Sequence, residues 1–265
     1  MKKTTTIIIL SLITKLGFTQ GAAENELKNF RFGLKVAPSL NWYKPDDKKK
    51  FESSGVRAKF SWGFAAEIRL NKISSIATGI QIDYDGGGLK INDKESIHYY
   101  YGNDEILTQE EAKTKNIFTQ NRLLERKYNT NYVTIPFGLK MKTNEIGYLT
   151  YYGQFGLNTS IKLKSRVDDG IREYGNPFSS NSSVSDVDVT DDAAFFKLAL
   201  NVGIGAEYNL TGSASIVFGI YYTNGFTNVL KSESKYLLRD NNGTLEALKQ
   251  KATANNIALQ VGVLF

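Results

Sequence analysis

Eight stretches of this 265-residue chain alternate apolar and polar residues with a period of two, and the connections between them alternate between short and long. Period-two alternation is the pattern of a β-strand, because successive side chains point to opposite faces. The stretches run over residues 30–43, 60–70, 76–84, 133–141, 149–163, 196–208, 216–222 and 257–265. In the first, Phe32, Leu34, Val36, Leu40 and Trp42 share one face, opposite Arg31, Gly33, Lys35, Ala37, Ser39 and Asn41. After the second, fourth and sixth stretches the connections are turn-sized: "NKISS", "TNEIG" and "NLTGS". After the others they are long, over residues 44–57, 85–131, 165–193 and 224–253. Short turns at one end and long loops at the other characterise a bacterial outer-membrane barrel. The expected fold is therefore all-β: an eight-stranded antiparallel up-and-down transmembrane β-barrel with short periplasmic turns and long extracellular loops.

A soluble up-and-down barrel also alternates, so the polar face has to decide between the two. It carries Gly33, Gly63, Gly79, Gly138, Gly156, Gly203, Gly205, Gly219 and Gly262. Glycine weakens a strand and brings nothing to a solvent-facing surface. In an eight-strand lumen, only wide enough for side chains to fill, it makes room. The opposite face holds large apolar residues with Trp42, Tyr84, Tyr208 and Tyr222 near strand ends, as the aromatic girdles of a membrane barrel require. Mean hydropathy is negative at -0.31, but an average over an alternating chain hides a lipid-facing surface.

The first 23 residues read as a secretory signal peptide, and residues 24–265 as the barrel domain. Lys2 and Lys3 precede an apolar run from Ile7 to Ile13, and small residues follow at Gly21, Ala22 and Ala23, placing cleavage between about residues 20 and 23. The run is too short to span a bilayer, which takes ~20 apolar residues. Loss of Lys2, Lys3 and Lys15 lowers the net charge of +6 by three, to +3. The remaining basic residues are interspersed with acidic ones, so no nucleic-acid surface is expected. With no Cys, disulfides, thiolate metal sites and lipid attachment to a new N-terminal Cys are excluded.

The inward-facing charges are the strongest candidates for a built site. Lys35, Glu67, Arg69, Asp83, Lys140, Lys162, Lys197 and Glu207 fall on the lumen face. In so narrow an interior unpaired charges are very costly, so a hydrogen-bonded ion network is expected. It forms either a solid plug of side chains or a thin polar channel; the strand number favours the plug. Pro136 also faces inward in mid-strand, where it removes a ladder donor in a barrel that has no edge, and a bulge or kink is expected there.

Catalytic and metal signals are weak. His98, the one histidine, has Asp93, Glu95 and Ser96 near it in sequence, spacing that any polar loop supplies by chance. The acidic run of Asp186, Asp188, Asp191 and Asp192 lacks the Gly and terminal Glu of a calcium loop. No catalytic residue, cofactor or metal site is predicted. "DGGG" at residues 85–88 reads as a turn, Thr108 with Glu111 as a capping box, "TLEALKQK" from Thr244 as a short helix, and the Ser- and Asp-rich segment at 176–192 as mobile.

"NYVTIPFGLKMKT", "GYLTYYGQFGLN", "LNVGIGAEYNL" and the final "LQVGVLF" together resemble the PorT-like outer-membrane β-barrel proteins of Bacteroidota, over about residues 30–265. The resemblance implies an eight-stranded barrel in the bacterial outer membrane and, for the founding members, an accessory role in type IX protein secretion and gliding. It carries no catalytic motif. "YYGQFG" stands where a "GPY"-like stretch is common in the family. The expectation is a non-enzymatic barrel whose loops or rim contact protein partners, with a passive pore or solute-binding barrel as the alternative and a hydrolase or acyltransferase behind both. Expected partners are outer-membrane lipid, the barrel assembly machinery and other secretion-system proteins. Phe265, an aromatic ending the closing strand, resembles the signal that the assembly machinery reads.

Overall fold

The computed structural model describes residues 29–265, except 94, 103, 175–177, 211–213 and 242–243. The expected signal peptide lies outside the described residues. In chain order the elements are β1 (Phe30–Pro45), β2 (Phe51–Ser53), β3 (Arg57–Arg69), β4 (Ser74–Ile91), β5 (Ile97–Gly102), β6 (Glu105–Leu107), α1 (Gln109–Thr114), β7 (Gln120–Lys142) and β8 (Leu149–Glu173). There follow β9 (Ser182–Asp188), a short 3-10 turn (Thr190–Asp192), β10 (Phe196–Asn209), β11 (Ser215–Gly225), β12 (Glu233–Asn241), β13 (Thr244–Lys249) and β14 (Ala252–Leu264).

Eight of these strands form a closed antiparallel ring in the order β1-β3-β4-β7-β8-β10-β11-β14, each paired with its neighbour in the chain. The ring shuts where β14 runs beside β1, with Gly33 opposite Leu264 and Leu40 opposite Ile257. Its wall alternates as the sequence does. Leu34, Phe64, Phe137, Phe155, Ile204 and Leu259 are all exposed on the exterior. A continuous belt of large apolar side chains turned outward belongs in hydrocarbon, and the filled polar interior gives it no alternative. Aromatic pairs stack along the belt's upper margin, Phe60 on Tyr84 at 4.6 Å and Trp42 on Tyr222 at 6.4 Å.

Beyond the belt, at the long-loop end, β4, β7 and β8 continue as one twisted ribbon. β2, β5, β9, β12 and β13 add to it as short strands. This cap has its own hydrophobic core, built from Tyr43, Phe51, Leu89, Ile97, Tyr99, Leu123, Val167, Leu237 and Leu248 among others.

Four local expectations are corrected. "DGGG" is not a turn: Gly86, Gly87 and Gly88 lie within β4, paired with Asn129, Tyr128 and Lys127 of β7. Glycine is needed there for room, since a Cβ at Gly87 would run into the ring and backbone of Tyr43. "TLEALKQK" forms strand β13 over Thr244–Lys249 rather than a helix, because β12 pairs with its backbone along one edge. The Ser- and Asp-rich segment holds β9, hydrogen-bonded to β8. Pro136 makes no bulge: it sits opposite Asn158 in unbroken register. The β4–β7 ladder merely skips two pairs between Thr78–Phe137 and Gln81–Thr134. The hydroxyl of Thr78 takes up the proline carbonyl at 2.8 Å. The capping box of Thr108 and Glu111 does start α1.

Candidate functional site

Two places concentrate polar chemistry: the lumen and the cap. At the short-turn end of the lumen, Arg31 of β1, Glu67 of β3, Lys140 and Lys142 of β7 and Glu207 of β10 converge. Arg31 Nη2 donates to Glu67 at 2.9 Å and to Glu207 at 2.7 Å. Lys140 stands 3.2 Å from Glu67 and also pairs with Glu207. Lys142 pairs with Glu67 and lies 2.9 Å from Glu207. The Ser75 hydroxyl donates to Glu67 at 2.7 Å. Lys140 also rests 4.1 Å over the Tyr152 ring. Each carboxylate thus meets three cations. That mutual pairing is what allows five charged groups to be buried together, because a single buried ion costs several kcal/mol (roughly, after relaxation).

Above this cluster the Tyr152 and Tyr221 hydroxyls hydrogen-bond at 3.0 Å over Gly203 and Gly205 of β10. Two cavities of about 50 and 60 Å³ follow, one on each side of a level formed by Lys35, Pro136, Gln154, Tyr221 and Gln260. Each has room for a few waters and no more. In the upper one Asp83 accepts from Thr134 at 2.5 Å and from Gln81 at 2.6 Å. Higher still, Lys197 donates to Asp85 at 2.5 Å while lying 4.3 Å over the Tyr132 ring, and Asn41 donates to the same carboxylate at 2.7 Å.

The structure thus brings together three of the sequence candidates, Glu67, Lys140 and Glu207, and puts Asp83 and Lys197 in a second tier. Lys35 lines both cavities and makes no ion pair among the described residues. Arg69 lies at the short-turn rim with its Nη1 buried and without a hydrogen-bond partner among the described residues. Lys162 is no part of the network, since it donates to the Ala193 carbonyl at 2.7 Å and to that of Thr190. Sequence reasoning placed Arg31 on the polar face but left it out of the inward charges, and it missed Lys142. Both hold the inward register, Arg31 with Gly33 and Lys35 inside the first stretch and Lys142 one step beyond Lys140, so extending the fourth stretch by one position finds Lys142.

In the cap, Arg126 and Asp169 form a bidentate pair at 2.8 and 2.7 Å, essentially without solvent exposure. Burial opposes the guanidinium charge, but the Asp169 carboxylate outweighs it and holds the proton more firmly than usual. The acidic run does not gather into a site. Asp186 pairs with Arg166, and Asp191 with Lys235 at 2.8 Å. Asp188 caps the Thr190 amide at 2.9 Å, and Asp192 accepts from the Lys235 amide at 2.6 Å. Among the described residues no group of three or more acidic, His or Cys side chains is placed to hold a metal ion. His98 is buried and stacked on Tyr174 at 4.5 Å, and burial lowers its pKa. Glu95, near it in sequence, is committed to Arg239 at 2.7 Å.

A family model described as "Outer membrane protein beta-barrel domain" matches residues 18–231. Among solved structures, Neisserial surface protein A is 13% identical with a TM-score of 0.44, over 89% of this chain and 96% of its own. The outer membrane protein OprG from Pseudomonas aeruginosa is 7% identical with a TM-score of 0.42, over 89% and 93%. The outer membrane protease OmpT from Escherichia coli is 11% identical with a TM-score of 0.33, over 93% and 99%. No curated protein matches the chain.

Proposed function

Because the chain belongs to the outer membrane protein β-barrel domain family, and so lies in the bacterial outer membrane, we propose that it is a closed, non-enzymatic barrel that presents its folded extracellular cap to protein partners. The observation that carries this reading is a cap with its own buried core above a lumen crossed by paired charges. The resemblance to PorT-like proteins supports a narrower version, in which the partners belong to the type IX secretion apparatus. Barrel assembly machinery is a further proposed partner, through Phe265. Its amide and carbonyl bond to Phe32 at the seam, at 2.8 and 3.3 Å, and its ring lies 6.3 Å from that of Phe32.

Planar-bilayer recording tests the closed barrel: the purified protein gives no steady current, and sustained open conductance would favour the pore reading, for which the two lumenal cavities speak. Deletion of the gene tests the secretion role, since normal delivery of cargo to the cell surface would remove it. If His98→Ala altered a catalytic phenotype of the intact cells, the enzyme reading would return.

A further inference from the structure

The outer wall carries a polar groove unconnected to the lumen, where β1, β14 and β11 leave the apolar belt for the cap. It encloses about 350 Å³ between Trp42, Lys44, Asp46, Tyr222, Asn224 and Asn255, with loop residues closing it from above. A volume of ~300 Å³ or more is in the range of small-ligand sites. Strand register places Asn255 between Trp42 on one side and Asn224 on the other. One outward rung closer to the periplasm the same three strands present Leu40, Ile257 and Tyr222 in register, with Ile220 and Leu259 on the next rung, and the four aliphatic side chains are exposed to lipid. The groove therefore opens at the outer-leaflet boundary, directly above a surface for acyl chains.

Asn255 is the unusual member. It is only 4% exposed, and its side-chain carbonyl has no hydrogen-bond partner among the described residues. Buried acceptors are normally satisfied, and one left unpaired at the wall of a groove calls for a donor from outside. Beside it, the Trp42 and Tyr222 rings stack at 26° to each other and form an aromatic face. Lys44 is exposed and makes no ion pair among the described residues. An aromatic face, amide acceptors and a lone cation recognise a sugar through its C–H face, its hydroxyl or amide N–H donors and an attached anionic group.

We propose that this groove binds the sugar headgroup of an anionic outer-leaflet glycolipid. The Asn255 carbonyl accepts from a sugar hydroxyl or acylamino N–H, Trp42 and Tyr222 pack against the ring, and Lys44 meets a phosphate. The acyl chains then descend over Leu40, Ile220 and Ile257. The lipid-linked form is favoured over free saccharide because only a molecule with both parts uses the groove and the apolar wall beneath it. The carboxylate of Asp46 accepts from hydroxyls and confines the phosphate to the Lys44 side.

The test uses the full barrel in nanodiscs of neutral phospholipid. Trp42 and Trp62 are the two tryptophans, and Trp62 is lipid-exposed well away from the groove, so Trp62→Phe leaves Trp42 as the reporter. Titration with lipid A, an acylated and phosphorylated glucosamine disaccharide, gives a saturable change in Trp42 emission. Asn255→Ala and Lys44→Ala each weaken that binding about tenfold, and phosphatidylglycerol and the deacylated disaccharide both bind at least tenfold more weakly than lipid A. Equal binding of phosphatidylglycerol would reduce the site to a non-specific anion contact and overturn the proposal. Equal binding of the deacylated sugar would make it a solute site and overturn the lipid assignment. No saturable change, or unaltered affinity in Lys44→Ala, would also sink it. Lys44 and Asn224 are exposed, so Lys44→Ala and Asn224→Ala keep the test decisive if Asn255→Ala fails to fold.

Discussion

His98 is fully buried, and neither ring nitrogen has a hydrogen-bond partner among the described residues. Such a ring is tolerated while neutral, since its stacking on Tyr174 needs no charge, but protonation would put an unpaired cation into the cap core. Desolvation lowers its pKa from the usual 6.5, although Asp240 pulls the other way. The folded form thus binds the proton more weakly than the unfolded form, so stability rises with pH across this window. The contribution is complete above about pH 6.5 and is lost as pH falls toward the depressed value. Amide protection in β5 and the adjoining part of β7, corrected for intrinsic exchange, should drop on acidification from pH 7.5 to 5.5. His98→Phe should remove most of that dependence and leave the barrel amides unchanged. The sequence made this residue look like a candidate base because it is the lone histidine. Only the fold shows that its surroundings serve packing.

At the scale of elements, the barrel strands could be read from alternation, whereas the cap strands could not. β8 shows why. Below its bulge Phe155, Leu157, Ile161 and Leu163 face outward, yet beyond it Ser165, Val167, Asp169 and Ile171 of the same parity are buried inside the cap. The register shift opposite Asn131 and Tyr132 reverses the phase, so the outward apolar pattern ends where the strand continues. β13 misled for another reason: Leu245 and Leu248 sit three apart, which fits a helix face, but β12 offers a backbone partner from Thr244 to Ala247. The glycines of β4 read as a turn because nothing in sequence reveals that Tyr43 fills the space above Gly87. Gly87→Val tests that contact. The added methyls must displace a packed ring and the Tyr43 backbone, at a cost of about 1–3 kcal/mol. The urea midpoint of the refolded protein in detergent should fall accordingly, and Tyr43→Ala in the same background should return part of the loss.

For the molecule as a whole, the charge cluster at the periplasmic end couples strands that are not neighbours in the ring. Arg31 ties β1 to β3 and β10, and Lys140 and Lys142 tie β7 to the same two carboxylates. The backbone ladder closes the barrel wall, while this cluster braces it across the bore. Alternation identified the face on which these charges lie, but the three-dimensional stagger of the strands decided which of them meet: Glu67 and Glu207 are far apart in the chain and share every cation. Because the carboxylates hold three cations between them, Glu207→Gln leaves Arg31, Lys140 and Lys142 around Glu67 alone. Breaking a buried network this way costs about 3–5 kcal/mol. The variant should unfold at markedly lower urea and lose its heat-modifiable folded band at lower temperature. Adding Lys142→Met removes one of the stranded cations and puts apolar volume in its place, so the double variant should recover a large share of the loss. If Glu207→Gln proved as stable as the parent, the cluster would not brace the barrel. If the double variant were no better than the single one, the loss would come from Glu207 itself rather than from the cations it leaves behind.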